Sequence, residues 1–221
     1  MTLALPDVPR WIEAHGIAAD AASWRRGSAV GNSRAKLIVI IDEDAEPTDV
    51  AALARELPDH AILATTEATA IGTGRPYGTA ILHTLPEPDA LPDLEGAALL
   101  GDAPLDGVPP ELVAELAGAT RVWAAWVDGA PVAFAYAPWR SAGYFDVSVD
   151  VLPSARQLGL GTLVAAAMIR DERARGREPV WGADEDNTAS LRLAKRLGFV
   201  PVDSLYVIPP AAPRASASSA P

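Results

Sequence analysis

Residues 155–164 read Ala-Arg-Gln-Leu-Gly-Leu-Gly-Thr-Leu-Val, and these types at this spacing suit the seating of a phosphate. A loop with Gly159 and Gly161 that opens a helix leaves main-chain N–H groups without partners and aims the positive end of the helix dipole at a ligand. Arg156 adds a charge-assisted contact, and Thr162 a hydroxyl, at the same place. The two glycines equally suit a plain tight turn, and the motif taken alone does not choose. Two familiar phosphate loops are excluded. A Walker loop needs a Gly-Lys-Ser/Thr tripeptide, which the chain lacks, and the dinucleotide fingerprint needs a third glycine where Val164 stands.

The elements around the loop decide what it can face. Before it, Phe145, Val147, Val149 and Val151 alternate with Tyr144, Asp146, Ser148 and Asp150, which predicts one strand with an apolar and an acidic face. After it, Leu160, Val164, Ala167 and Met168 form a helical stripe, and the charged run 170–177 reads as a solvated last turn. A strand at 179–183, a helix at 187–197 closed by Gly198, and one or two strands at 199–208 follow. Strand, helix, strand implies a right-handed crossover between parallel neighbours, with the loop at a strand's C-terminal end.

Upstream, 110–119 suits a helix, and 121–127 with 131–137 forms a hairpin through Asp128-Gly129. Farther towards the N-terminus, 35–42 reads as a buried strand and 48–58 as a helix capped by Thr48. Residues 60–71 and 78–85 look extended, and 86–110 is a connecting segment with a short ordered piece at 97–100. This gives a loose boundary near residue 95: a first region 1–95, a second region 96–208, and a disordered tail 209–221 of Pro, Ala, Ser and one Arg.

The 221 residues, 49% of them hydrophobic, suffice for a substantial core. A formal net charge of -11 argues against nucleic acid and favours cationic partners. With no cysteine, and with His15, His60 and His83 scattered, no metal site is expected. The opening residues lack the pattern of a secretory signal, and no apolar run is long enough to span a membrane, so a cytoplasmic protein with no membrane partner is expected.

Residues 149–164 resemble the acyl-CoA loop of the GNAT superfamily of N-acetyltransferases, a strand ending V-x-P and then Q/R-x-x-G-x-G/A opening a helix. Arg156, Gly159 and Gly161 fill the defining positions, with Val151 and Pro153 in the lead-in. Residues 187–199 resemble the family's second block, matched by Asn187, Ser190, Leu197, Gly198 and Phe199. The resemblance spans about residues 98–208. It implies an α/β (α+β) fold, a mixed, mostly antiparallel sheet with a central parallel strand pair flanked by helices. The first region stays open as an α/β region: a degenerate copy of the fold, a lid or an oligomerisation element, with a homodimer among the possibilities.

The resemblance further implies acetyl-CoA as co-substrate. Its pantetheine arm would bond the backbone of Val149, Asp150 and Val151, and its diphosphate would sit on Gln157, Leu158, Gly159, Leu160, Gly161 and Thr162, assisted by Arg156. Asn187, with Ser190 in the same block, reaches the pantetheine or caps its helix. The implied reaction acetylates a primary amine of a small molecule, peptide or protein, with a cationic acceptor favoured by the charge. Asp146 and Glu185 are the first candidates for the base that deprotonates the amine. The tyrosine that often protonates the departing thiolate is replaced by Ala194, which leaves Tyr144, Tyr206 or water. A noncatalytic acyl-CoA-binding module is the alternative, and Ala194 is its best support.

Overall fold

The computed structural model describes residues 5–211, so the part of the expected tail from 212 to 221 lies outside the described residues. In chain order the elements are α1 (Ile12–Ala18), β1 (Ser23–Arg26), β2 (Ala29–Asn32), β3 (Leu37–Ile40), α2 (Pro47–Glu56), β4 (Ala61–Ala64), α3 (Glu67–Gly72), β5 (Gly78–Thr84), β6 (Ala97–Leu99), α4 (Pro110–Gly118), β7 (Val122–Val127), β8 (Ala130–Tyr136), β9 (Tyr144–Asp146), β10 (Ser148–Val151), α5 (Leu160–Arg173), β11 (Glu178–Asp184), α6 (Thr188–Arg196) and β12 (Val200–Ile208). The chain forms two compact units, each from two segments: Met1–Gly16 with Ala80–Ser204, and Ile17–Thr79 with Leu205–Pro221.

In the first unit, β10, β8, β7 and β6 form an antiparallel sheet in that order. The β7–β8 hairpin turns through Asp128 and Gly129, both at positive φ (50° and 82°), a pairing that Asp-Gly tolerates. Strand β11 pairs antiparallel with β5 and parallel with β9. The run expected as one strand at 144–151 is therefore two. Its first half bonds to β11, its second half to β8, and the change falls at Val147, whose N–H donates to the Val180 carbonyl at 2.9 Å.

The alternation continues through the break. Phe145, Val147, Val149 and Val151 all join a core built on Val164, Ala165, Met168 and Ile169 of α5. On the other face of the antiparallel sheet, Leu112 and Leu116 of α4 pack with Ala124, Phe134 and Tyr136. Both faces are buried, so apolar area on both sides holds this sheet.

The charged end of α5 is not a solvated turn. Glu172 is 1% exposed and bridges Arg140 at 2.9 Å and Arg177 at 2.7 Å. Asp171 accepts from Arg121 at 2.8 Å, and Arg170 donates to the Leu91 carbonyl at 3.2 Å. Helical periodicity shows which residues share a face, but partners from distant segments are invisible to it.

The second unit has the strand order β1-β2-β3-β4-β12, with β3 and β4 parallel and the other pairs antiparallel. Its core gathers Ile38, Ile40, Val50, Leu53, Ile62 and Ile208. Two local expectations are corrected. Thr48 lies inside the first turn of α2, whose cap position is Glu46 and whose first residue is Pro47. Residues 60–71 are extended only to Ala64; Thr66 then accepts from the Thr69 N–H at 3.2 Å and starts α3, so capping overrides the strand preference of the threonines. Among the described residues the fold is α/β, with mostly antiparallel strands, parallel pairs and six α-helices.

Candidate functional site

Strand β10 is the last strand of its sheet, bonded to β8 on one side only. The pairing of β9 with β11 ends at Asp146 and Val180, while β11 runs on to Asp184 against β5. The strands therefore part at 146–148 and leave the outer edge of β10 free, the geometry in which an extended ligand can add its own backbone-like hydrogen bonds.

The loop at the end of β10 is shaped by two left-handed residues. Gln157 (φ 66°) is costly for a side-chain-bearing residue, and Gly159 (φ 79°, ψ 0°) forms the cap position of α5. Nothing approaches a Cβ built on Gly159, so that glycine is there for its conformation. At Gly161 the reason is different: a Cβ would meet Leu193 at 3.3 Å and Val151 at 3.4 Å, so the absent side chain lets α5 close on β10.

Among the described residues, the N–H groups of 157–161 have no protein acceptor. The loop at 156–159 is exposed, with Leu158 at 61%, and Thr162 is buried in the first turn of α5. Arg156 lies along the same loop, with Nε 3.5 Å from the Val151 carbonyl. Unpartnered donors at a helix start, a free guanidinium end and a glycine-shaped turn form an anion seat of the kind that holds a diphosphate.

The carboxylates divide into three environments. Asp146 stands where the strands part, half-buried, and burial pushes its carboxyl up to about 7. Asp150 turns away from α5, and its carboxylate accepts from the Tyr136 hydroxyl at 3.1 Å; the same hydroxyl bonds Glu115. Burial raises Asp150, opposed by the Tyr136 hydrogen bond, and the Tyr136 hydroxyl is itself raised by burial and by Glu115. Glu185 is exposed in the turn after β11.

The structure does not bring every candidate together. Tyr144 lies at the start of β9, seven residues before Val151 and about 20 Å along the chain from the loop. It lines a cleft of about 550 Å³ with Arg173 and Glu178, at the other end of α5. Asn187 caps α6, accepting from the Ser190 N–H at 3.1 Å, and Ser190 accepts from the Trp181 indole N–H at 2.9 Å. Ala194 is fully buried, and Tyr206 belongs to the second unit, edge-on to Tyr77 at 5.9 Å.

Three groups escaped the sequence reading: Glu13, Glu115 and Tyr136. Glu13 sits in an otherwise apolar run, Trp11-Ile12-Glu13-Ala14, which is the signal that would have marked it. Among the described residues, no group of His, Asp and Glu is arranged to hold a metal ion, and no helix is long and apolar enough to cross a membrane.

Residues 123–208, which include β10, the loop and α6, match the sequence model of the GNAT acetyltransferase family. Over these residues the chain is similar to the GNAT acetyltransferases. No curated protein sequence matches the chain. Solved structures with the GNAT fold resemble it over nearly its whole length. A GNAT-family protein from Novosphingobium aromaticivorans superposes with a TM-score of 0.64 at 20% identity, covering 91% of this chain and 96% of its own. A GCN5-related N-acetyltransferase from Kribbella flavida gives 0.64 at 17%, covering 92% and 95%. A GCN5-related N-acetyltransferase-like protein from Streptococcus suis gives 0.53 at 17%, covering 91% and 92%. The fold they share reaches well beyond the GNAT segment 123–208.

Proposed function

We propose that the protein is an N-acetyltransferase that moves the acetyl group of acetyl-CoA to a primary amine, most readily a cationic one. The observation that carries this reading is the row of unpartnered main-chain donors at 157–161 beside the free edge of β10. Diphosphate on the loop and pantetheine along Val149, Asp150 and Val151 would bring the thioester towards the point where the strands part. There the amine nitrogen attacks the thioester carbonyl, the C–N bond forms and the C–S bond breaks.

An ammonium must lose a proton before it can attack, and Asp146, at the parting point, is better situated for this than the exposed Glu185. Tyr144, at the far end of β9, is unsuited to protonate the thiolate, so we assign that proton to the amine itself or to water. Asn187 and Ser190 act as the cap of α6 and as a rest for Trp181. Use of acetyl-CoA fits a cytoplasmic protein.

Titration calorimetry with acetyl-CoA, joined to a free-thiol assay over a panel of primary amines, tests the reading. Micromolar binding with amine-dependent thiol release is expected. Absence of binding overturns it, and binding without release supports the noncatalytic alternative that Ala194 favours.

A further inference from the structure

Acyl transfer at the parting strands needs a proton acceptor, and the first unit brings a second carboxyl to Asp146 from outside the segment that matches the GNAT family. Helix α1 packs on Trp139 through Gly16. A Cβ on Gly16 would come within 2.3 Å of the Trp139 ring, and the Trp139 carbonyl accepts from the Asp146 N–H at 3.0 Å. The Asp7 carboxylate, just before α1, accepts from the Gly143 N–H at 2.7 Å. One turn before Gly16, Glu13 stands close enough to Asp146 to feel its charge, and the Glu13 Oε2 is buried with no hydrogen-bond partner. Phe145 and Val147, on either side of Asp146, face the α5 core, so Asp146 points to the opposite side.

We propose that Glu13 and Asp146 hold one proton between them and that this pair accepts the proton given up by the substrate ammonium, with Asp146 as the group that meets the amine and Glu13 as its positioning residue. The proposal rests on the acyl-transfer reading above. A carboxyl with one buried oxygen unpartnered is costly to keep ionised, and a second carboxyl close enough to act on it by charge raises that cost. Burial first, and then the charge of Asp146, pushes Glu13 up to about 8, while burial pushes Asp146 up to about 7. A proton acceptor works best when it titrates near the working pH.

The surrounding charged groups are otherwise engaged. Just before α1, Arg10 is held by Asp203 of β12 at 2.5 and 2.7 Å, and on α1 His15 sits on the Pro6 carbonyl at 3.0 Å. In the 137–143 segment, Arg140 is held by Glu172 and by the Ala137 carbonyl. On β5, His83 contacts main-chain carbonyls of Ile81 and Trp181. On β9 itself the remaining titratable group is Tyr144, and on β10 it is Asp150, held by Tyr136.

The proton balance closes. With one proton shared, the pair carries a single negative charge and attracts one ammonium. An N–H bond of the ammonium breaks, and its proton goes to the ionised carboxylate. The neutral amine forms the C–N bond, the C–S bond breaks, and the surplus proton on nitrogen leaves with the sulfur as a thiol. The diacid pair then returns one proton to water.

Carboxyl ¹³C NMR titration of the full chain, wild type against Glu13→Gln and Asp146→Asn, tests the sharing. Two linked titrations near neutrality are expected in the wild type, and Glu13 should drop by a pH unit or more in Asp146→Asn, which removes the charge that raises it. Titration of both groups near 4 overturns the proposal. With any panel amine that reacts, Glu13→Gln should collapse the two linked steps on the acid side of kcat/KM into one, and Asp146→Asn should lower kcat/KM about 100-fold or more. Two steps persisting in Glu13→Gln, or full activity in Asp146→Asn, overturns the catalytic role. Acetyl-CoA calorimetry on the same samples reports separately whether the acyl-transfer reading itself fails.

Discussion

The two ends of α5 are opposites. At its start the loop is exposed, two residues are left-handed, and the main-chain donors of 157–161 have no acceptor. At its end the acidic side chains are engaged: Glu172 lies between Arg140 and Arg177, and Asp171 holds Arg121. Unmet bonding capacity on an ordered element is the mark of a ligand site, whereas saturated charge is the mark of a clamp between segments.

The same contrast separates two buried glutamates. Burial tends to raise Glu172, but Arg140 and Arg177 outweigh it and hold its carboxyl below the usual range. Glu13 has no such cation and is pushed up instead. The signs of their pH dependence are therefore opposite. Glu172 stabilises the fold above the ordinary glutamate range, and this is lost as pH falls through its lowered value. Glu13 and Asp146 bind more protons folded than unfolded, so their contribution is lost as pH rises from about 4 towards 8 and then levels off.

The sharpest way to break the comparison is Glu172→Ala. Leaving two arginines unpaired should cost about 3–5 kcal/mol in urea unfolding, while acetyl-CoA affinity of the folded protein stays within about twofold. Next comes pH. Raising it from 5.5 to 8.5 should lower wild-type stability by several kcal/mol, and Glu13→Gln should flatten that decline. Gly159→Val, which strains the left-handed cap, should weaken acetyl-CoA binding by about tenfold in calorimetry. Arg156→Ala is the mildest: roughly a threefold loss that shrinks further in 0.5 M salt, because the side chain is exposed. If Arg156→Ala exceeded Gly159→Val, the main-chain seat would be secondary to the side-chain charge.

Much of the architecture around the loop was legible. The hairpin at Asp128-Gly129, the helix after Gly159 and the strand–helix–strand order each carry a local signal: a turn dipeptide, a stripe, a cap glycine. The short helix α3 was misjudged because a few threonines outvoted one cap, and α1, β1 and β2 were passed over because short elements have little periodicity to read.

By itself the sequence determined the loop, because an anion seat made of main-chain donors needs only contiguous residues and a helix behind them. Tertiary structure alone decided the rest: the parting of β9 from β10, the clamp on Glu172 and the meeting of Glu13 with Asp146. Each of those joins residues far apart in the chain. A carboxyl's charge state depends on who buries and who faces it, and no local pattern records that.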